Sequence, residues 1–198
     1  MNYAKNISSQ ELNTLDLGQF EGEIVVATER NEVISILDEV WNERVVGFDT
    51  ETKPSFRKGV RNNVSLVQIA TQEHAYLIRL NHTGMTRELK EFFSTDEITK
   101  VGVALRDDIK ELQDLSHFDP AGFVELNKLV KHIGIESNGL KKLTGIILGF
   151  RISKNAQTSN WENEILTEKQ LTYAATDAWV CVEMYKRLHE QGLLAQIR

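Results

Sequence analysis

The chain has little of what staples or punctuates a fold. Among 198 residues there is one cysteine, Cys181, so no intrachain disulfide can form. Five histidines (His74, His82, His117, His132, His189) are scattered without metal-ligand spacing, which argues against a zinc site built from Cys and His. Only two prolines occur, Pro54 and Pro120, and both fall in expected loops. No apolar run approaches the about 18 residues of a membrane span. The segment MNYAKNISSQELNTLDLGQF is polar and lacks the apolar core of a signal peptide. These absences point to a cytoplasmic protein with no membrane partner. There is no internal repeat and no low-complexity linker. Positive charge is also not in excess: 23 Lys and Arg face 29 Asp and Glu, for a net charge of -6. Taken alone, that balance argues against a nucleic-acid partner.

What is present is an ordinary globular composition, 41% hydrophobic and 26% charged. The length suits one domain, here 1–198, with a core over about 20–190 and a short N-terminal extension, 1–19. Ser8 to Glu11 resembles a capping box and predicts a short helix in that extension. EIVVAT (23–28) reads as a strand. NEVISILDEVW carries Val33, Ile36, Leu37, Val40 and Trp41 at helical spacing. VVGFD (45–49) is a strand. VSLVQIAT (64–71) and AYLIRL (75–80) are two more, joined by a polar turn as an antiparallel hairpin. A helix is expected around 85–94, a strand at KVGVAL (100–105), a helix from Asp107, and a further strand within 122–129. Another helix spans about 139–147. Thr167 to Gln170 is a capping box opening the last long helix. The pattern is three-layer α/β with a mixed sheet.

Acids stand where core elements end. In VVGFDTET, Asp49 and Glu51 are two residues apart and therefore on one face of the strand. Two adjacent carboxylates repel, and burying them costs free energy. Asp107 and Asp108 follow KVGVAL; Asp107 reads equally as a helix cap. Asp177 lies inside the last helix among Ala174, Ala175 and Ala178, with Tyr173 one turn before it. A pair of Mg²⁺ or Mn²⁺ ions, which take oxygen ligands, resolves the cost of such a cluster and suits phosphodiester hydrolysis. The tyrosine is placed to position an attacking water.

Together VVGFDTET, KVGVALRDDIKEL and LTYAATDAW resemble the motifs of the DnaQ-like 3'–5' exonucleases in their tyrosine-bearing (DEDDy) branch. Within that branch the likeness is to the RNase D family and the Werner exonuclease domain. The stretch KNAQTSNWENEILTEKQ resembles the family's segment before its third motif, and the likeness covers about 20–190. It implies an RNase-H-like α/β fold with a central mixed five-stranded sheet and two divalent metals, Mg²⁺ or Mn²⁺. By the same likeness Asp49 bridges both ions, and Glu51 and Asp177 hold the ion that activates water. Asp108 serves the second ion, with Asp107 as its possible substitute. Tyr173 orients the water. The implied products are nucleoside 5'-monophosphates, released from the 3' end of single-stranded or 3'-recessed DNA or RNA.

Charge distribution softens the argument from net charge. KPSFRKGVR (53–61) follows Glu51 and carries Lys53, Arg57, Lys58 and Arg61 with no acid. Beside a metal site it suits the phosphate backbone. Phe56 reads either as a base-stacking ring or as a ring tucked onto the core. Lys154 and Arg151 are further basic candidates. Trp161, Trp179 and Cys181 read as packing residues. Two readings compete: a catalytically silent nucleic-acid-binding module, whose signature would be a lost acid, and a phosphohydrolase acting on small nucleotides.

Overall fold

The computed structural model describes residues 3–57, 59 and 61–194. The elements in chain order are α1 (Ser9–Thr14), β1 (Glu23–Ala27), α2 (Arg30–Val40), β2 (Val45–Thr52), β3 (Val64–Ala70) and β4 (His74–Arg79). They continue through α3 (Leu80–Thr83), α4 (Arg87–Phe93), β5 (Thr99–Gly102), α5 (Arg106–Leu115), β6 (Phe123–Glu125), α6 (Leu126–Leu129), α7 (Leu140–Ile147) and α8 (Glu168–Glu190). No helix among the described residues is long and apolar enough to cross a membrane.

The strands form one mixed sheet in the order β1-β4-β3-β2-β5-β6. β3 pairs antiparallel with both β2 and β4, and the outer pairings are parallel. The sheet thus has the six strands read along the chain rather than the five that the resemblance implies. Short outer strands complete it: β6 has three residues, and the rest of the stretch 122–129 turns into α6. The strand expected over 100–105 stops at Gly102. Ala104 takes a left-handed φ of 60° there, and its N–H is held by Asn127 Oδ1 at 3.1 Å, so the chain turns sharply into α5.

Every residue of β3 is buried, as befits a strand covered on both faces. One face packs Phe48, Val67 and Ile78 against Val33, Leu37, Phe92 and Phe93 from α2 and α4. On the other, α8 crosses the sheet, with α7 beside it, burying Ala174, Ala178, Cys181 and Val182. The predicted capping boxes are present at Ser8 and Thr167. Trp161 is fully buried with its ring centroid 6.1 Å from that of Tyr173, and Trp179 stacks on Phe150.

Residues 3–18 wrap across the α7–α8 side. Tyr3 donates to Gln191, Asn6 donates to Glu136 and accepts from Ser137, and the Arg151 guanidinium donates to the Leu15 carbonyl. Arg151 is therefore engaged in holding this segment.

Candidate active site

Three elements bring the acids together. β2 supplies Asp49 and Glu51. A Cβ on Gly47, two residues before Asp49, would lie 1.9 Å from the Ala178 carbonyl oxygen. Only glycine permits this approach of α8 to β2, and it sets Asp177 beside the strand's acids. Gly102 plays a similar part where β5 ends: a Cβ there would meet the Leu105 side chain at 2.3 Å and the Phe48 carbonyl at 2.6 Å. The tight turn that follows starts α5, with Asp108 in its first turn.

Thr50, between the two β2 acids in sequence, bonds through its hydroxyl to Asp108 Oδ1, and its N–H donates to Asp49 Oδ1 at 2.9 Å. Asp107 is exposed and faces a separate polar cleft with Lys110, Glu111 and Asp114. Of the two neighbouring aspartates, Asp108 is the one that joins Asp49, Glu51 and Asp177.

The electrostatics of this cluster are adverse. Burial, then the charges of Asp177 and Asp108, holds the Asp49 carboxyl well above the carboxylate range. Burial, with Asp49, Asp177 and Asp108 adding, pushes Glu51 up to about 10. Burial raises Asp108, against the stabilising bond from Thr50. Burial also raises Asp177 to about 7, opposed by the Tyr173 hydroxyl and by Lys141. Tyr173 is itself pushed above its usual value, by burial and then by Asp177, so its phenol stays protonated. Asp177 is 4% exposed, and its Oδ1 has no hydrogen-bond partner among the described residues.

Such a set suits a hard cation. All the donors are carboxylate oxygens, and ionising them together requires a positive charge among them. Among the described residues no three His, Cys, Asp or Glu side chains are gathered closely enough to hold a metal as they stand.

A cleft of about 710 Å³ lies over the cluster. Asp49, Glu51, Tyr173 and Asp177 line it, with Lys141, Lys142 and Lys154 also on its walls. Sequence reasoning singled out Lys154 and passed over Lys141 and Lys142, because charges on a helix ordinarily read as its solvated face. Two basic residues of the segment after Glu51 line a different cleft. Lys53 is bonded to Glu162 at 2.8 Å, and with Arg61 it lines the second cleft, of about 470 Å³. Arg57 is exposed, and Lys58 lies outside the described residues. Phe56 is 89% exposed, not tucked onto the core.

Comparison with known proteins identifies the family. The family model described as 3'–5' exonuclease matches residues 24–192. The bifunctional 3'–5' exonuclease/ATP-dependent helicase WRN of Mus musculus is 33% identical over 192 residues, covering 90% of this chain. Curated relatives are longer: the chain spans 40%, 28% and 14% of the length of three of them. The crystal structure of the Aedes aegypti Nibbler EXO domain superposes with a TM-score of 0.80 at 24% identity, covering 91% of this chain and 94% of that one. Trypanosoma brucei RNase D in complex with RNA U12 superposes with a TM-score of 0.74 at 18% identity, covering 85% and 63%.

Proposed function

The chain belongs to the 3'–5' exonuclease family, and from that premise we propose that it removes nucleotides one at a time from the 3' end of a nucleic-acid strand. The observation that carries the reading is the convergence of Asp49, Glu51 and Asp177, with Tyr173, on one cleft, and of Asp108 on the same charge cluster. Members of this family use divalent metals. Here Asp49, Glu51, Asp108 and Asp177 would hold a pair of ions, Mg²⁺ or Mn²⁺. Bound there, the pair would lower the pKa of a water and neutralise charge on the scissile phosphate.

The chain's own residues do the rest. Tyr173, kept protonated by burial and packed against the Trp161 ring, would orient water beside Asp177. Thr50 fixes the Asp108 carboxylate through its hydroxyl. The lysines of the cleft suit the phosphates of a polymer more than a lone nucleotide, which favours an exonuclease over a small-nucleotide phosphohydrolase. Every acid of the cluster is present, so nothing favours a silent binding module. A single strand is the form proposed to enter the cleft, with a 3'-recessed end as an alternative substrate. The structural likeness to an RNase D that binds RNA U12 supports including RNA. The products proposed are nucleoside 5'-monophosphates.

The test is direct. Single-stranded DNA and RNA labelled at the 5' end are incubated with the protein and Mg²⁺ or Mn²⁺. The expected result is a ladder shortening stepwise from the 3' end. No cleavage with either ion would overturn the reading.

A further inference from the structure

The cleft combines an acidic floor with a cationic wall. Lys141, Lys142 and Lys154 line the same cleft as Asp49, Glu51 and Asp177, although the chain as a whole is acidic. Lys142 and Lys154 are exposed, whereas Lys141 is half-buried. Its Nζ donates to the Ser153 carbonyl at 2.7 Å, so the ammonium is held in place rather than swinging free. Its charge reaches both Asp177 and Lys154. An ammonium fixed by one neutral carbonyl keeps two further N–H donors; burial lowers its pKa to about 8, so it is charged below that pH. A carboxylate so near would satisfy it by direct pairing, yet no ion pair joins Lys141 to Asp177 among the described residues.

We propose that Lys141 is a substrate-binding residue that contacts a backbone phosphate of the strand in the cleft, with Lys142 and Lys154 extending the same wall. This rests on the exonuclease reading and specifies how that site takes its polymer. Strand entry brings anionic phosphates beside buried carboxylates, and a fixed cation lowers that barrier locally. Lys141 is anchored before substrate arrives, so it loses little freedom on binding.

The experiment measures binding of 5'-fluorescein single strands, oligo-dT and oligo-rU, by anisotropy in chelator, over about 50 to 200 mM salt. Wild type is compared with Lys141→Gln, Lys141→Met and Lys141→Arg. Glutamine retains a donor for the Ser153 carbonyl without the charge, so it reports even where methionine fails to fold. Losing one phosphate contact should flatten the slope of log K against log salt by about 0.7. Lys141→Arg should keep the slope. In turnover with metal, the neutral variants should raise KM by more than they lower kcat. An unchanged slope in both neutral variants would overturn the assignment and leave Lys141 as a partner of Asp177 alone. A wild-type protein that neither binds nor shortens either strand would instead bring down the exonuclease reading, and this inference with it.

Discussion

Gly47 and Ala178 are in backbone contact: a side chain on the first would strike the carbonyl of the second at 1.9 Å. That contact sets the separation between β2 and α8, and so between Asp49 and Asp177. Gly47→Ala is expected to lift α8, costing roughly 1–3 kcal/mol of stability. Activity should fall further than the lost folded fraction explains. Thermal unfolding and specific activity, measured on the same sample, check this. A variant with wild-type activity would show that the helix position does not matter.

Glu51 makes the cluster sensitive to pH. Its folded pKa is about 10, above the usual 4.5. The folded state therefore keeps a proton that the unfolded chain releases. Stability from this group is full below the unfolded value and drains as pH climbs toward the folded one. In chelator, Glu51→Gln should melt above wild type at about pH 8, with the gap closing toward about pH 5. Divalent metal should raise the wild-type midpoint and leave the variant's nearly unmoved. Equal midpoints in chelator at the higher pH would count against the buried-repulsion account.

Tyr173→Phe keeps the ring against Trp161 and removes only the hydroxyl. The fold should survive, while kcat falls on the order of 10²-fold through misplaced water. A wild-type kcat would remove Tyr173 from the mechanism.

Phe56 is almost fully exposed, so Phe56→Ala should leave the melting temperature unchanged. If the ring stacks on a base, single-strand affinity drops by about 1–3 kcal/mol. Titration with a fluorescent oligonucleotide separates the outcomes, and an unaltered Kd would leave the ring without a binding role.

The acids were legible in the sequence because carboxylates at the ends of core elements contradict their surroundings. Val45, Val46 and Phe48 predict a buried strand, and Asp49 and Glu51 interrupt it. Asp177 was legible for the same reason, set among alanines. The resemblance already put the ligand at Asp108; turning Asp107 away from the cluster needed the turn through Ala104, whose left-handed backbone no residue type announces. The sixth strand was legible within 122–129, but its end was not, because β6 is three residues long and its apolar pattern runs straight on into α6. Lys141 was invisible for a different reason. Its neighbour in space is the Ser153 carbonyl, and a helix-borne lysine carries no mark of such a partner.

The docking of α8 over Gly47 also has a consequence in time. Asp49 is carried by a strand early in the chain, whereas Tyr173 and Asp177 arrive on a helix that follows all six strands. Before that helix settles, the sheet holds only part of its complement of acids. On the proposed mechanism, a chain whose last helix has not docked lacks Tyr173 and Asp177 at the cleft and should not cleave a strand.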